Sequence, residues 1–285
     1  MASKKVIVIG AGPGGLAASM QLAKAGVDVT VLETLDRVGG RSSAIEADGF
    51  RFDTGPTFFL YPRVLKEIFA SVGRDLFQDV PMHRLDPQYR ITFGTGGQLD
   101  CTPDIHRMEQ QVTAISPEDA GALRRYMDHN RVKLEKFRPI LESPFNSMLD
   151  LLRPSLIRAA SHVKPWKSLG QELESYFKDP RLVLAFSFQA KYLGMSPFKC
   201  PSLFSILSFL EYEHGVFHPY GGCARVNEKM AEVARNLGAD IRLSEPVEQL
   251  EFRGRRVVGV RTAQGRYDSD AIVINADFAH SMQRL

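Results

Sequence analysis

Cysteine is scarce in this chain. The three present, Cys101, Cys200 and Cys223, lie far apart and match no metal or redox spacing. That excludes a disulfide framework and leaves them as buried thiols of a reducing compartment. An excess of one charge is missing too: 36 basic against 33 acidic residues give a net charge of +3. No whole-protein case for nucleic acid follows from that balance. No apolar run reaches the length of a membrane span, and the longest candidate, Ser202–Leu210, is short and carries serines. Only three residues precede the first strand region, which leaves no room for a targeting peptide. The expectation is a cytoplasmic protein, which can still lie peripherally on the inner membrane. No internal repeat or low-complexity segment is visible. What is there, 44% hydrophobic and 24% charged residues, suits a globular enzyme of one large domain or two modest ones.

The densest information lies in residues 4–41, KKVIVIGAGPGGLAASMQLAKAGVDVTVLETLDRVGGR. An apolar run, Val6–Ile9, meets Gly10, Gly12, Pro13, Gly14 and Gly15. A helical pattern (Leu16, Met20, Ala23) follows, then a second apolar run closed by Glu33. Strand, glycine turn, helix and strand form the context that gives GxGxxG its meaning. Gly10 permits the turn, Gly12 lets backbone approach a pyrophosphate, and Gly15 lets the helix pack on the strand. The helix N-terminus offers N–H groups and a positive dipole end to phosphate. Glu33 stands where an acid binds a ribose hydroxyl pair. The bland alternative is a glycine turn in an ordinary βαβ unit.

Past Glu33 the chain does not continue winding βαβ units as a nicotinamide dehydrogenase would. Gly39, Gly40 and Arg41 come at once, then Gly49-Phe50-Arg51-Phe52-Asp53-Thr54-Gly55-Pro56. Further glycine turns so close together suggest a long cofactor lying against backbone. Arg41 adds a forked cation suited to a pyrophosphate, or is simply a surface arginine after a turn.

These strings resemble a known group. GAGPGGL, RVGGR and GFRFDTGP are similar to the flavin-binding signature shared by amine oxidases, protoporphyrinogen oxidases and carotenoid desaturases. HPYGG at 218–222, VINADFAH at 273–280 and FSFQAKYLG at 186–194 resemble the bacterial-type phytoene desaturase family. The resemblance implies FAD as cofactor, with Gly10, Gly12, Pro13, Gly14, Gly15, Glu33, Gly39, Gly40, Arg41, Gly55 and Pro56 around it. It places the backbone of Val247 against the adenine, although a plain strand residue is the equal alternative there. Family members are longer and carry a last glycine-rich segment over the flavin, so this chain reads as an N-terminal portion.

The implied fold is α/β: a Rossmann-like FAD-binding domain, with a parallel sheet, flanking helices and a β-hairpin layer. It is discontinuous, 1–75 and 220–285, with 76–219 an inserted, mostly helical substrate and membrane-contact region. Local signals predict helices over Tyr61–Val72, from Ser116 to about Phe137, and over Gly222–Leu237. Hairpins are expected around Gly94–Gly97 and around Gln264-Gly265, and strands at Ile241–Leu243 and Ala271–Asn275.

In the insert, Phe145, Met148, Leu149 and Leu152 fall at helical spacing, with Leu156 and Ile157 beyond Pro154. Arg138, Arg153, Arg158, Lys164, Lys167 and Trp166 border them. The stripe is either a core face or a surface lying in a membrane interface. Asp150 and Arg153 sit one turn apart within it, either as a structural ion pair or, as the resemblance implies, as a proton-handling pair. The histidines show no ligand spacing, so no metal is expected.

The reading is a flavoprotein that takes two hydrogens from a long apolar isoprenoid. Three alternatives stay open: an amine or protoporphyrinogen oxidase-like enzyme, a non-redox prenyl-lipid escort module on the same fold, and an inactive fragment.

Overall fold

A computed structural model describes residues 3–154, 156 and 166–285. Among these the chain divides into two compact units, Met1–His83 with Phe217–Leu285, and Arg84–Val216.

The first unit is built on alternation in β1 (Lys5–Ile9). Its side chains point to opposite faces in turn. Val6 and Val8 therefore join one core, with Val29 and Val31 of β2 (Asp28–Leu32), while Ile7 and Ile9 join another. A strand buried on both faces belongs inside a parallel sheet. β10 (Asp240–Arg242), β2, β1 and β14 (Ala271–Ile274) form that sheet, all parallel, in the order given.

Over one face lies α1 (Pro13–Lys24), which brings Leu16, Met20 and Ala23 down at helical spacing. α9 (Ala224–Asn236) packs beside it through Val226, Met230 and Val233. Against the other face lies an antiparallel sheet of β11 (Val247–Arg253), β12 (Arg256–Thr262) and β13 (Gly265–Asp268), with Val260 wholly buried against Ile7, Ile9 and Leu32. The result is α/β with three layers: helix, parallel sheet and hairpin sheet. Short elements complete the unit: the β3–β4 hairpin (Ala44–Ala47, Phe50–Asp53), β5 (Phe59–Leu60), α2 (Arg63–Ser71) and α3 (Leu76–Asp79). β6 (Met82–Arg84) and β9 (Val216–Pro219) carry the chain out of this unit and back.

The second unit is mainly helical. The hairpin β7 (Tyr89–Thr92) and β8 (Gln98–Cys101) forms around the glycines at 94–97, as the sequence predicts. It packs with α4 (Ile105–Ile115), α5 (Ala122–Leu141), α6 (Leu169–Leu173), α7 (Pro180–Ser187) and α8 (Ser205–His214) around one core. Phe177 and Phe186 stack there with ring centroids 4.7 Å apart.

One helix boundary corrects the sequence reading. The helix expected from Ser116 to Phe137 is instead a single 3-10 turn, Pro117–Asp119, followed by α5. Asp119 is drawn inward to accept hydrogen bonds from the Lys178 and Asp179 backbone amides at 2.7 and 3.0 Å. Gly121, at φ +75°, then breaks the path before α5 starts. α5 also runs through Pro139 to Leu141, because a proline in the last turn forfeits only one ladder bond.

Candidate functional site

Three glycine turns meet at the C-terminal end of β1. Gly10 needs φ +99°, and a Cβ there would stand 2.7 Å from the Asn275 carbonyl oxygen. A Cβ on Gly15 would overlap the Gly10 carbonyl oxygen, so α1 sits directly on the turn. A Cβ on Gly14 would meet Asn275 Nδ2 at 2.6 Å. Gly12 differs. Its φ is −73°, ordinary for any residue, and a Cβ would find only Asn275 Oδ1 at 3.6 Å. Neither strain nor packing accounts for glycine at this position, which caps α1 and is followed by the exposed Pro13 at the first helical position. The space in front of it is what a bound group's approach would use.

The second turn is tied to the first. The Gly39 amide donates to the Ala11 carbonyl at 2.8 Å, and a Cβ on Gly40 would lie 3.6 Å from Gly12 Cα. Arg41 follows with its side chain 92% exposed and only a loose ion pair, 3.9 Å, to Asp277. Gly55 backs onto this turn so closely that a Cβ would overlap the Arg41 carbonyl oxygen, and Pro56 follows on the surface.

Glu33 is buried at the end of β2. Oε2 accepts from the Ala11 amide at 2.7 Å and Oε1 from the Leu35 amide at 2.9 Å. Each oxygen keeps lone-pair capacity for a hydroxyl donor. The returning chain runs alongside: Glu245 N donates to Glu33 O at 2.8 Å and Ser244 N to Leu35 O at 2.9 Å. Val247 begins β11 two residues later, half-buried and paired with Thr262.

Two residues that the sequence reading quoted but did not assign hold this assembly. Asn275, one residue past β14, accepts from Gly15 N through Oδ1 at 2.8 Å and so latches the glycine turn to the sheet. Asp53 accepts from the Cys223 and Ala224 amides at 2.8 and 3.0 Å, fixing the GFRFDTGP segment to the start of α9. The signal for both was their place in the VINADFAH and GFRFDTGP strings.

In the second unit, Asp150 and Arg153 do meet, at 2.7 and 3.1 Å from one carboxylate oxygen. The other oxygen accepts from the Asn146 and Ser147 amides at 2.7 and 2.9 Å, completing a capping box on the 3-10 turn Met148–Leu152. The Ser147 and Asn146 amides, and then Arg153, hold the Asp150 carboxyl below its ordinary range. A group so engaged is a poor proton acceptor and a good structural pair.

The described part of the apolar stripe divides: Leu156 packs against the buried Phe137 and Ile140, while the stripe residues before it are exposed. Met148, Leu149 and Leu152 are 79%, 75% and 68% exposed, and Phe145, Leu141 and Trp166 are exposed as well. Ile157, Arg158 and Lys164 of the same stripe lie outside the described residues. Among the described residues no helix is long and apolar enough to cross a membrane.

The family model for flavin-containing amine oxidoreductases matches residues 13–283. The chain is 35% identical over 284 residues to a 4,4'-diapophytoene desaturase (4,4'-diapolycopene-forming) of Methylomonas sp, covering 99% of this chain and 55% of that one. It is 38% identical over 290 residues to an all-trans-zeta-carotene desaturase of Myxococcus xanthus, covering 99% and 54%. The chain thus spans about half the length of these relatives. Among solved structures, an oxidoreductase from Methanosarcina mazei superposes with a TM-score of 0.66 at 19% identity, over 97% of this chain and 60% of that one.

Proposed function

This chain belongs to the flavin-containing amine oxidoreductase family, and on that premise we propose that it holds FAD and desaturates a long, apolar isoprenoid. The observation that carries the proposal is the open approach at Gly12, in a chain similar to carotenoid desaturases over nearly its whole length.

The chain's residues fit the cofactor. The cradle at Gly12 and Gly40 suits a pyrophosphate, with the exposed Arg41 guanidinium as its counter-charge. The buried Glu33 carboxylate, held in place by two amides, offers lone pairs to a ribose diol. Asn275 keeps the turn closed on the sheet. When bound, FAD supplies two-electron oxidation of a carbon–carbon bond. The chain's part is to bind, orient and exclude water.

For the substrate, the proposal assigns the inserted region 76–219, whose compact core is Arg84–Val216. The exposed Met148, Leu149, Leu152 and Trp166, with Arg153 and Lys167 beside them, favour contact with a membrane surface from which such a substrate is drawn. A cytoplasmic protein lying peripherally on the inner membrane follows from that reading.

Anaerobic addition of candidate substrates to the FAD-loaded chain tests the proposal. Bleaching of the flavin by an acyclic polyene precursor, and not by amines or a porphyrinogen, is the expected result. Bleaching only by amines or a porphyrinogen would replace the substrate assignment. A chain that takes up a prenyl lipid and no flavin would be an escort module instead.

A further inference from the structure

Glu211 and Glu245 are buried carboxylates that accept hydrogen bonds from tyrosine hydroxyls. Glu211, on α8 of the second unit, accepts from Tyr89 OH at 2.9 Å and Gln189 Nε2 at 2.6 Å through Oε2, and from Tyr192 OH at 2.9 Å through Oε1. All of its partners belong to that unit. Glu245 lies in the first unit, and its main chain is bonded to Glu33, the residue proposed to bind ribose.

Residues 242–245 run along Glu33 as a strap. Glu33 N donates to Arg242 O at 2.9 Å, and Glu245 N donates to Glu33 O at 2.8 Å. Both main-chain polar groups of Glu33 are thus engaged. Ser244 N donates to Leu35 O at 2.9 Å, and the Leu35 amide in turn holds Glu33 Oε1. The strap turns through Ser244 at φ +55°, a left-handed conformation uncommon for a residue with a side chain. Such a turn persists where its surroundings over-determine it.

The Glu245 side chain supplies the bracing. Its Oε1 accepts from Tyr267 OH at 2.5 Å and from Thr262 Oγ1 at 3.0 Å, which ties the strap to β13 and β12. Tyr267 OH accepts from Arg242 Nη1 at 2.7 Å, and the guanidinium lies over the tyrosine ring, 4.9 Å from its centroid. The loop therefore closes on itself: Arg242 meets Glu33 through its main chain and Tyr267 through its side chain. The bond to Glu245, and then burial, raises the Tyr267 phenol above its ordinary range, so it stays a donor. Glu245 Oε2 makes no hydrogen bond among the described residues.

We propose that Glu245 is a positioning residue for ribose binding: its carboxylate fastens the 242–245 strap to the hairpin sheet, and the strap keeps the Glu33 carboxylate in register with the glycine turn. The proposal rests on the FAD reading of the first unit. A binding carboxylate is useful only when held to a fraction of an ångström, and hydrogen bonds one shell out do that work. Glu33 has two such supports, the Ala11 and Leu35 amides on its side chain and the strap on its main chain.

Calorimetric titration of the purified 285-residue chain with ADP, and separately with inorganic pyrophosphate, tests the role. ADP carries ribose and pyrophosphate, whereas the second probe lacks the ribose. Glu245→Leu and Tyr267→Phe are expected to weaken ADP about tenfold, the effect of losing a bond to a charged group, and to leave pyrophosphate affinity unchanged. Because only one carboxylate oxygen is used, Glu245→Gln can keep both bonds and should bind ADP nearly as the unaltered chain does. Unchanged ADP affinity in Glu245→Leu and Tyr267→Phe, or an equal loss of pyrophosphate affinity, overturns the proposal and leaves the FAD reading standing. So does a Glu245→Gln variant as weak as Glu245→Leu, because the carboxylate would then act by its charge. If Glu245→Leu does not fold, Tyr267→Phe, which removes one hydroxyl from a half-buried ring, decides the matter. An unaltered chain that binds neither ADP nor FAD overturns the FAD reading and the proposal together.

Discussion

At the scale of single residues, the glycines of the 10–15 turn separate into those that serve the fold, Gly10, Gly14 and Gly15, and Gly12, which does not. Gly15 is held by contact with the Gly10 carbonyl, so Gly15→Ala should cost about 1–3 kcal/mol in a denaturant melt, as overpacking does. Gly12→Val should cost about 1 kcal/mol or less, the loss of a tolerated N-cap residue, and abolish FAD uptake, because a side chain there fills the space a ligand's approach would use. Equal loss of stability in the two variants would contradict the assignment. Glu33→Gln should weaken FAD by about 1–3 kcal/mol, the cost of a charged hydrogen-bond partner. It also sets an amide NH2 against the Ala11 or Leu35 amide, so a stability loss is expected with it. Flavin titration of the folded fraction separates the two effects. Sequence spacing alone made these residues legible, since chain order fixes a βαβ turn. Glu211 was not legible. Its partners come from positions 88, 89, 189 and 192, and no local pattern marks residues that only a folded core brings together.

At the scale of elements, the apolar stripe and α8 carry opposite expectations. Substituting Met148, Leu149 and Leu152 by serine should reduce co-sedimentation with anionic liposomes and shift stability by no more than about 0.5 kcal/mol, as at other exposed positions. A large fall in melting temperature with unchanged liposome binding would return the stripe to a core. The sequence left that choice open because a helical apolar spacing reads the same on either side of a surface. For α8, the sign of the pH effect is fixed. Burial raises the Glu211 carboxyl above its ordinary 4.5, so the folded state binds the proton more tightly than the unfolded one. Its contribution to stability is therefore fully present below pH 4.5 and is lost as pH rises through the raised value. Unfolding curves should show the unaltered chain losing stability relative to Glu211→Gln as pH rises above 4.5. Parallel curves would contradict a buried carboxyl that makes no ion pair among the described residues.

At the scale of the molecule, the parallel order β10-β2-β1-β14 joins residues near both ends of the chain in one sheet. The α/β reading rested on the apolar runs at 6–9, 27–32 and 271–275, of which the first two are largely buried strands and the third is a half-buried strand at the sheet edge. The helix α5 and the helices between 169 and 214 were less legible, because their starts depend on distant partners such as Asp119 with Lys178 and Asp179. The account's central claim is that the first unit holds FAD at Gly12. Titration of the purified 285-residue chain with FAD, followed in the visible spectrum, tests it most directly. The account predicts a shifted, protein-bound flavin spectrum that saturates and is lost in Gly12→Val. A spectrum that remains that of free FAD throughout, or saturates equally in Gly12→Val, would contradict it.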